Sequence, residues 1–222
     1  MGSDNLFHKR RQRSKDSLRR KNGQRAPYDR VLIICEGAKT EPNYLKEIRD
    51  DYRLTTANIE ILGKECGSDP LSVINYAIQR FNKDKGYNRV YCVVDRDKHA
   101  TFNDAMDKLR RTRLGKEITF KAIVSVPCFE YWLLLHFAYT TQQFVAPAND
   151  SNCALVVAAL DNVKFIPGYN KGATGIFSLT KAKLPEAINN AKKVQKYSRE
   201  TGSTNPSTNV YELIEYLINL NS

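Results

Sequence analysis

The chain has 222 residues, 41% of them hydrophobic and 27% charged, with a formal net charge of +11. That length allows one domain with a real core and a smaller appendage, and the balance is that of a soluble globular protein. No window reaches the run of apolar residues that a membrane span needs, and the basic start lacks the apolar stretch of a secretory signal, so a cytoplasmic protein without a membrane partner is expected.

The charge is unevenly placed. The first 30 residues hold ten Lys/Arg against three Asp, so +7 of the +11 lies there. Residues 1–28 have almost no apolar side chains and read as a flexible basic arm. Arg10, Arg11, Arg13, Lys15, Arg19, Arg20 and Lys21 would release counterions from nucleic acid; the plain alternative is a solvated tail.

From residue 30 the pattern alternates between short apolar runs and helical spacing. "RVLIICE" (30–36) predicts a buried strand, and Pro42 suits the first turn of a helix carrying Tyr44, Leu45 and Ile48. "NIEILG" (58–63) predicts a second strand. "SDPLSVINYAIQRFNK" (68–83) opens with cap residues and a proline, then sets Leu71, Ile74, Ala77, Ile78 and Phe81 on one face. Residues 89–95 predict a third strand, 101–111 a helix and 117–126 a fourth strand. "PCFEYWLLLHF" (127–137) predicts a mostly buried helix with its proline in the first turn. Strand and helix in alternation predict an α/β fold with a largely parallel sheet, over residues 29–138. Strand signals then stop. Residues 139–222 are expected to form a helical region packed on the core, with helices at 153–163, 176–197 and 210–220.

Five cysteines, at 35, 66, 92, 128 and 153, are odd in number, widely spaced and form no CxxC pair. They read as reduced thiols, with no disulfide framework and no zinc site.

Three acidic positions are predicted for the edge where parallel strands end and ligands bind. Glu36 ends the first strand before Gly37, Asp95 and Asp97 end the third, and Glu130 stands in the first turn after the fourth. Carboxylates held together repel, and burial penalises each further, so a divalent cation is their natural neutraliser. Hard oxygen ligands suit Mg²⁺ or Mn²⁺. Each position also has a plain explanation: a Glu-Gly turn, an aspartate at a strand end, a glutamate favoured by the helix dipole.

The run "LIICEGAKTEPNY" followed by "VYCVVDRDKHA" resembles the Toprim domain of topoisomerases, bacterial primases, small RNA-maturation nucleases and the overcoming-lysogenization-defect (OLD) nucleases. Together with "PCFEYWLLLHF", "YNKGATGIFSL" and "NPSTNVYELIEYL", in that order, the chain resembles the RloB-like family of bacterial proteins over nearly everything but the arm. The resemblance implies a compact parallel sheet between helices and a Mg²⁺-dependent nuclease, associated with restriction and phage-defence loci and an ATPase partner. By position, Glu36 matches the Toprim glutamate, an acid/base or metal ligand, and Asp95 and Asp97 match the metal-binding pair. Glu41 matches a second acidic position of the OLD-type nucleases, and Glu130 their downstream carboxylate. Lys39 is placed to contact the scissile phosphate, and Lys171 in "YNKG" stands for a further downstream lysine.

Other residues have blander readings. His136 lies on a buried helix and reads as a core histidine, and His99 as a loop residue near the aspartates. Asn205, Ser207 and Thr208 read as the cap region of the last helix. No tyrosine marks a topoisomerase nucleophile, and a primase would want a zinc module. No GxxxxGK[ST] occurs, so ATP hydrolysis would fall to a partner. The rival to a nuclease is a non-catalytic nucleic-acid-binding or adaptor subunit of an ATPase complex. A glycosyltransferase or phosphatase is the weakest alternative.

Overall fold

The computed structural model describes residues 29–56, 58–96, 100–148, 150–162 and 169–220. A five-stranded sheet forms its centre: β1 (Val31–Cys35), β2 (Ile59–Leu62), β3 (Arg89–Asp95), β4 (Thr119–Val126) and β5 (Ser207–Thr208), in the spatial order β2-β1-β3-β4-β5. The first four strands are parallel, and β5 runs antiparallel to β4. Strand alternation sends Val31, Ile33, Cys35, Tyr91 and Val93 to one face, and Leu32, Ile34, Val90, Cys92 and Val94 to the other. Both faces are covered, so β1 is buried along its whole length and reads as a continuous apolar run.

Helices α1 (Thr40–Asp51), α2 (Pro70–Lys83) and α3 (Phe102–Arg111) follow β1, β2 and β3. Helix α1 packs Tyr44, Leu45 and Ile48 on the first face, whereas α2 and α3 pack Val73, Ile74, Ala77, Phe81 and Ala105 on the second. The cap expected for α2 is made by Asp69, whose Oδ1 accepts from the backbone N–H of Leu71 and Ser72 at 3.1 Å each. Beyond the sheet come α4 (Glu130–Leu134), α5 (Asn152–Asn162), α6 (Ile176–Thr180), α7 (Leu184–Thr201) and α8 (Val210–Ile218). Phe177, Leu184, Ala187, Val194, Leu213 and Leu217 from this region share one apolar cluster with Ile33, Val93 and Trp132.

The α/β fold with a mostly parallel sheet and a helical C-terminal region is therefore as expected, with four local corrections. Ser207 and Thr208 form an edge strand, and only Thr208 also serves the helix start, its Oγ1 accepting from Val210 N–H at 3.2 Å. The Asn209 side-chain Oδ1 accepts from Val124 N–H at 2.5 Å, and the Asn209 backbone N–H donates to Val124 O at 3.1 Å, which docks the segment on β4. Residues 176–197 are not one helix: Pro185 in the first turn of α7 cannot extend a helix arriving from upstream, and Lys181–Lys183 form a 3-10 turn instead. The helix expected at 127–137 is α-helical only at Glu130–Leu134. Its ends tighten into i to i+3 hydrogen bonds, Tyr131 N–H to Cys128 O and Phe137 N–H to Leu134 O, so Pro127 lies before the helix and not in its first turn. The fourth concerns the cysteines. Cys128 and Cys153 are joined by a disulfide, because the fold brings their Cα atoms to 5.6 Å across 25 residues of sequence, while Cys35, Cys66 and Cys92 are buried free thiols.

Candidate active site

Strand order creates the site. The chain passes from β1 outward to β2, then crosses back to lay β3 on the other side of β1. The loops after β1 and β3 consequently diverge, which opens a crevice at the carboxyl ends of two neighbouring strands. Glu36 and Asp95 stand on its two lips. Glu36 N–H donates to Val93 O at 2.9 Å, continuing the ladder one residue past β1, and its Oε2 accepts from the backbone N–H of Asp95 at 3.0 Å.

Gly37 makes room for the next carboxylate. A Cβ built on it would fall 2.0 Å from Oε2 of Glu41, so only glycine lets the Glu41 side chain fold back from the first turn of α1 toward the crevice. Glu41 is buried, as is Glu130 at the start of α4, with 2% of its surface exposed. Glu130 Oε1 lies 3.5 Å from the Lys171 ammonium and accepts from Tyr169 OH at 3.5 Å.

Lys171 arrives from far along the chain, and the loop carrying it is fastened to α1. Gly172 N–H donates to Thr40 Oγ1 at 3.0 Å, and Gly172 O accepts from Asn43 Nδ2 at 3.2 Å. Glu47 takes the N–H groups of Gly175 and Phe177 at 2.6 and 2.8 Å. Gly172 has φ +85° and packs its Cα side against Lys39, a place no side chain could occupy without strain. Lys39 itself is exposed at the rim.

These residues line one cavity of about 410 Å³: Glu36, Lys39, Glu41, Asp95, Glu130 and Lys171, with Cys128 and Cys153 in its wall. Four carboxylates face two lysines. Burial, with the charges of Glu130 and Glu36 adding to it, pushes the Glu41 carboxyl up from 4.5 to about 7, and the Lys171 charge offsets part of this. Burial and the charges of Glu41, Glu130 and Glu36 push the Asp95 carboxyl well above the usual carboxylate range. Asp95 is partly exposed as a residue, yet its Oδ1 is sealed from solvent with no hydrogen-bond partner. An orphaned carboxylate oxygen among other carboxylates is a site short of positive charge. Glu36, Glu41 and Asp95 offer hard oxygen donors of the kind a Mg²⁺- or Mn²⁺-class cation takes, and line the same cavity without their oxygens converging on one point.

Six of the residues singled out in the sequence are thus brought together. Asp97 and His99 lie outside the described residues, as do Arg10, Arg11, Arg13, Lys15, Arg19, Arg20 and Lys21 of the arm. His136 is a core histidine: its Nδ1 bonds Trp132 O at 3.1 Å and its Nε2 meets Tyr44 OH at 3.3 Å. Burial lowers its pKa to about 4 and keeps it neutral. Sequence reasoning missed Tyr169 and the two wall cysteines. The signal was present, since Cys128 stands two residues before Glu130 and Tyr169 two before Lys171.

No curated protein and no solved structure matches the chain. A family model does, described as RloB-like protein, over residues 31–217. That span runs from the first residue of β1 almost to the end of α8 and takes in every carboxylate and lysine of the cavity, and the chain belongs to the RloB-like family.

Proposed function

We propose that the chain is a Toprim-type, Mg²⁺- or Mn²⁺-dependent nuclease that hydrolyses phosphodiester bonds in DNA or RNA, acting in bacterial phage defence beside an ATPase partner. The observation that carries the reading is the carboxylate cluster at the switch point, with Asp95 Oδ1 buried and unpartnered. Its setting in phage defence and the ATPase partner rest on the resemblance of the sequence motifs.

Glu36, Glu41 and Asp95 would hold the cation, with Asp97 following Asp95 by two residues. When bound, the cation supplies Lewis-acid polarisation of the phosphoryl oxygen. The chain's own groups do the rest. Glu36, less buried than Glu41, takes a proton from the attacking water. Lys39 at the rim and Lys171 inside meet the non-bridging oxygens of the phosphate and offset the charge that builds on them. Glu130 holds Lys171 through their 3.5 Å ion pair. The basic arm would add sequence-independent affinity for the polymer.

The test is nicking of plasmid DNA, and cleavage of a structured RNA, with Mg²⁺ or Mn²⁺, for wild type, Glu36→Ala and Asp95→Ala. Cleavage that needs the metal and falls at least about 100-fold in both variants supports the nuclease. Binding of nucleic acid without cleavage, alone or with an ATPase partner, would favour the adaptor reading instead.

A further inference from the structure

Cys128 and Cys153 have no task in the phosphodiester chemistry above, yet both line the same cavity. Their bond joins the residue two before α4 to the second residue of α5. Between these anchors the described residues of 139–151 form no helix or strand; the bond ties them down together with the paired Asn205–Phe144 hydrogen bonds, the Tyr131 OH to Thr140 O bond and the buried Phe144. Lys171 Nζ lies 3.1 Å from Cys153 Sγ, and Glu130 Oε2 lies 3.2 Å from the same sulfur. An ammonium at that distance sits where negative charge develops on sulfur as a disulfide is opened. All five cysteines are buried, but Cys35, Cys66 and Cys92 do not line the cavity. The chain therefore sets two of its five sulfurs in the wall of the cavity beside a cation, and the other three away from it.

We infer that Cys128 and Cys153 are a reversible thiol–disulfide couple that straps α5 and the segment before it across the acidic cavity, exchanging with a small thiol of the glutathione class. In the reducing direction a partner thiolate attacks one sulfur, and the Cys128–Cys153 bond breaks to leave a mixed disulfide and one cysteine thiolate. A second partner thiolate resolves the mixed disulfide. The products are two cysteine thiols and one partner disulfide, so two electrons and two protons pass from the partner thiols to the protein. Oxidation is the reverse, with the small disulfide as acceptor. Opening the bond frees α5 at its first turn and leaves Lys171 and Glu130 to each other and to the cavity. The couple concerns the sulfurs and the segment they tie, so it stands or falls separately from phosphodiester cleavage.

The experiment holds the full chain in glutathione buffers of different reduced-to-oxidised ratio, then alkylates it with iodoacetamide in denaturant and weighs it. With five cysteines in all, the oxidised protein should take three labels and the reduced protein five, interconverting in both directions, with peptide mapping placing the change at Cys128 and Cys153. Hydrogen exchange on the two states should show several-fold faster exchange across 142–160 after reduction, and no change in α2 and α3. Cys153→Ser, or Cys128→Ser if the first folds poorly, should show the reduced exchange pattern in both buffers. Five labels in every buffer would mean that the bond does not form. Three labels even in millimolar dithiothreitol would mean a fixed cross-link. A changing label count with unchanged exchange across 142–160 would mean that the bond straps nothing. Each of these overturns the inference.

Discussion

Glu41 shows how one residue can look inert in sequence and be loaded in the fold. At the first turn of a helix it has an ordinary role beside the dipole, yet the space left by Gly37 turns it inward among Glu36 and Glu130. Its pKa, raised from 4.5 to about 7, means that the folded protein holds this proton more tightly than the unfolded chain does. Stability from this group is therefore fully present below about pH 4.5 and is lost as pH rises through 7. Glu41→Gln cannot titrate, so wild type should lose on the order of 3 kcal/mol relative to that variant between pH 4.5 and 8. Urea unfolding of both proteins across that range checks the sign. His136 titrates in both and cancels from the comparison, whereas Asp95, whose carboxyl the Glu41 charge pushes up, does not, so the comparison reads the two coupled carboxyls together. Adding Mn²⁺ at pH 8 should restore wild type more than the variant, because a cation then replaces the missing proton. Gly37→Ala tests the same residue from the other side. A methyl group 2.0 Å from Glu41 Oε2 must displace that carboxylate, which should cost about 1–3 kcal/mol and flatten the pH dependence.

At the scale of elements, α1 and the 169–175 loop act as one unit. Thr40, Asn43 and Glu47 are spaced along one side of α1, and each takes or gives a hydrogen bond to the loop that carries Lys171. Replacing Glu47 by Ala would leave the N–H groups of Gly175 and Phe177 without their acceptor and should cost about 1–3 kcal/mol. Hydrogen exchange should rise at 172–177 while α2 stays protected. Helix α2 depends on a local device instead. Asp69→Ala removes the acceptor for two helix-end N–H groups and should cost about 1 kcal/mol, read as a fall in Tm of about 2–4 °C.

For the whole molecule, the sheet face that carries α1 is closed by helices from the far end of the chain. Trp132, Leu133 and Leu135 are fully buried, and Asn190 of α7 donates to Leu135 O at 2.9 Å. A chain ending at residue 138 would bare the face that Phe177, Leu184, Val194 and Leu213 cover. Such a truncated protein should fail to give a cooperative unfolding transition by circular dichroism, whereas removal of residues 1–28 alone should leave the transition intact.

The parallel strands, their helices and the acidic lips at Glu36 and Asp95 were legible in the chain, because apolar runs, helical spacing and strand ends are local patterns that follow from backbone geometry. The edge strand at Ser207 and Thr208 was not. Two residues carry no period, and their strand character comes from an open edge of β4 more than 80 residues away in sequence. The same holds for the wall of the cavity. Nothing local couples Cys128 to Cys153, or Glu130 to Lys171; their meeting depends on where α5 and the 169–175 loop come to rest. Spacing along a chain can announce which side chains an element presents. Which of them become neighbours, and whether a carboxylate there keeps its charge, follows from packing and from the water that packing removes.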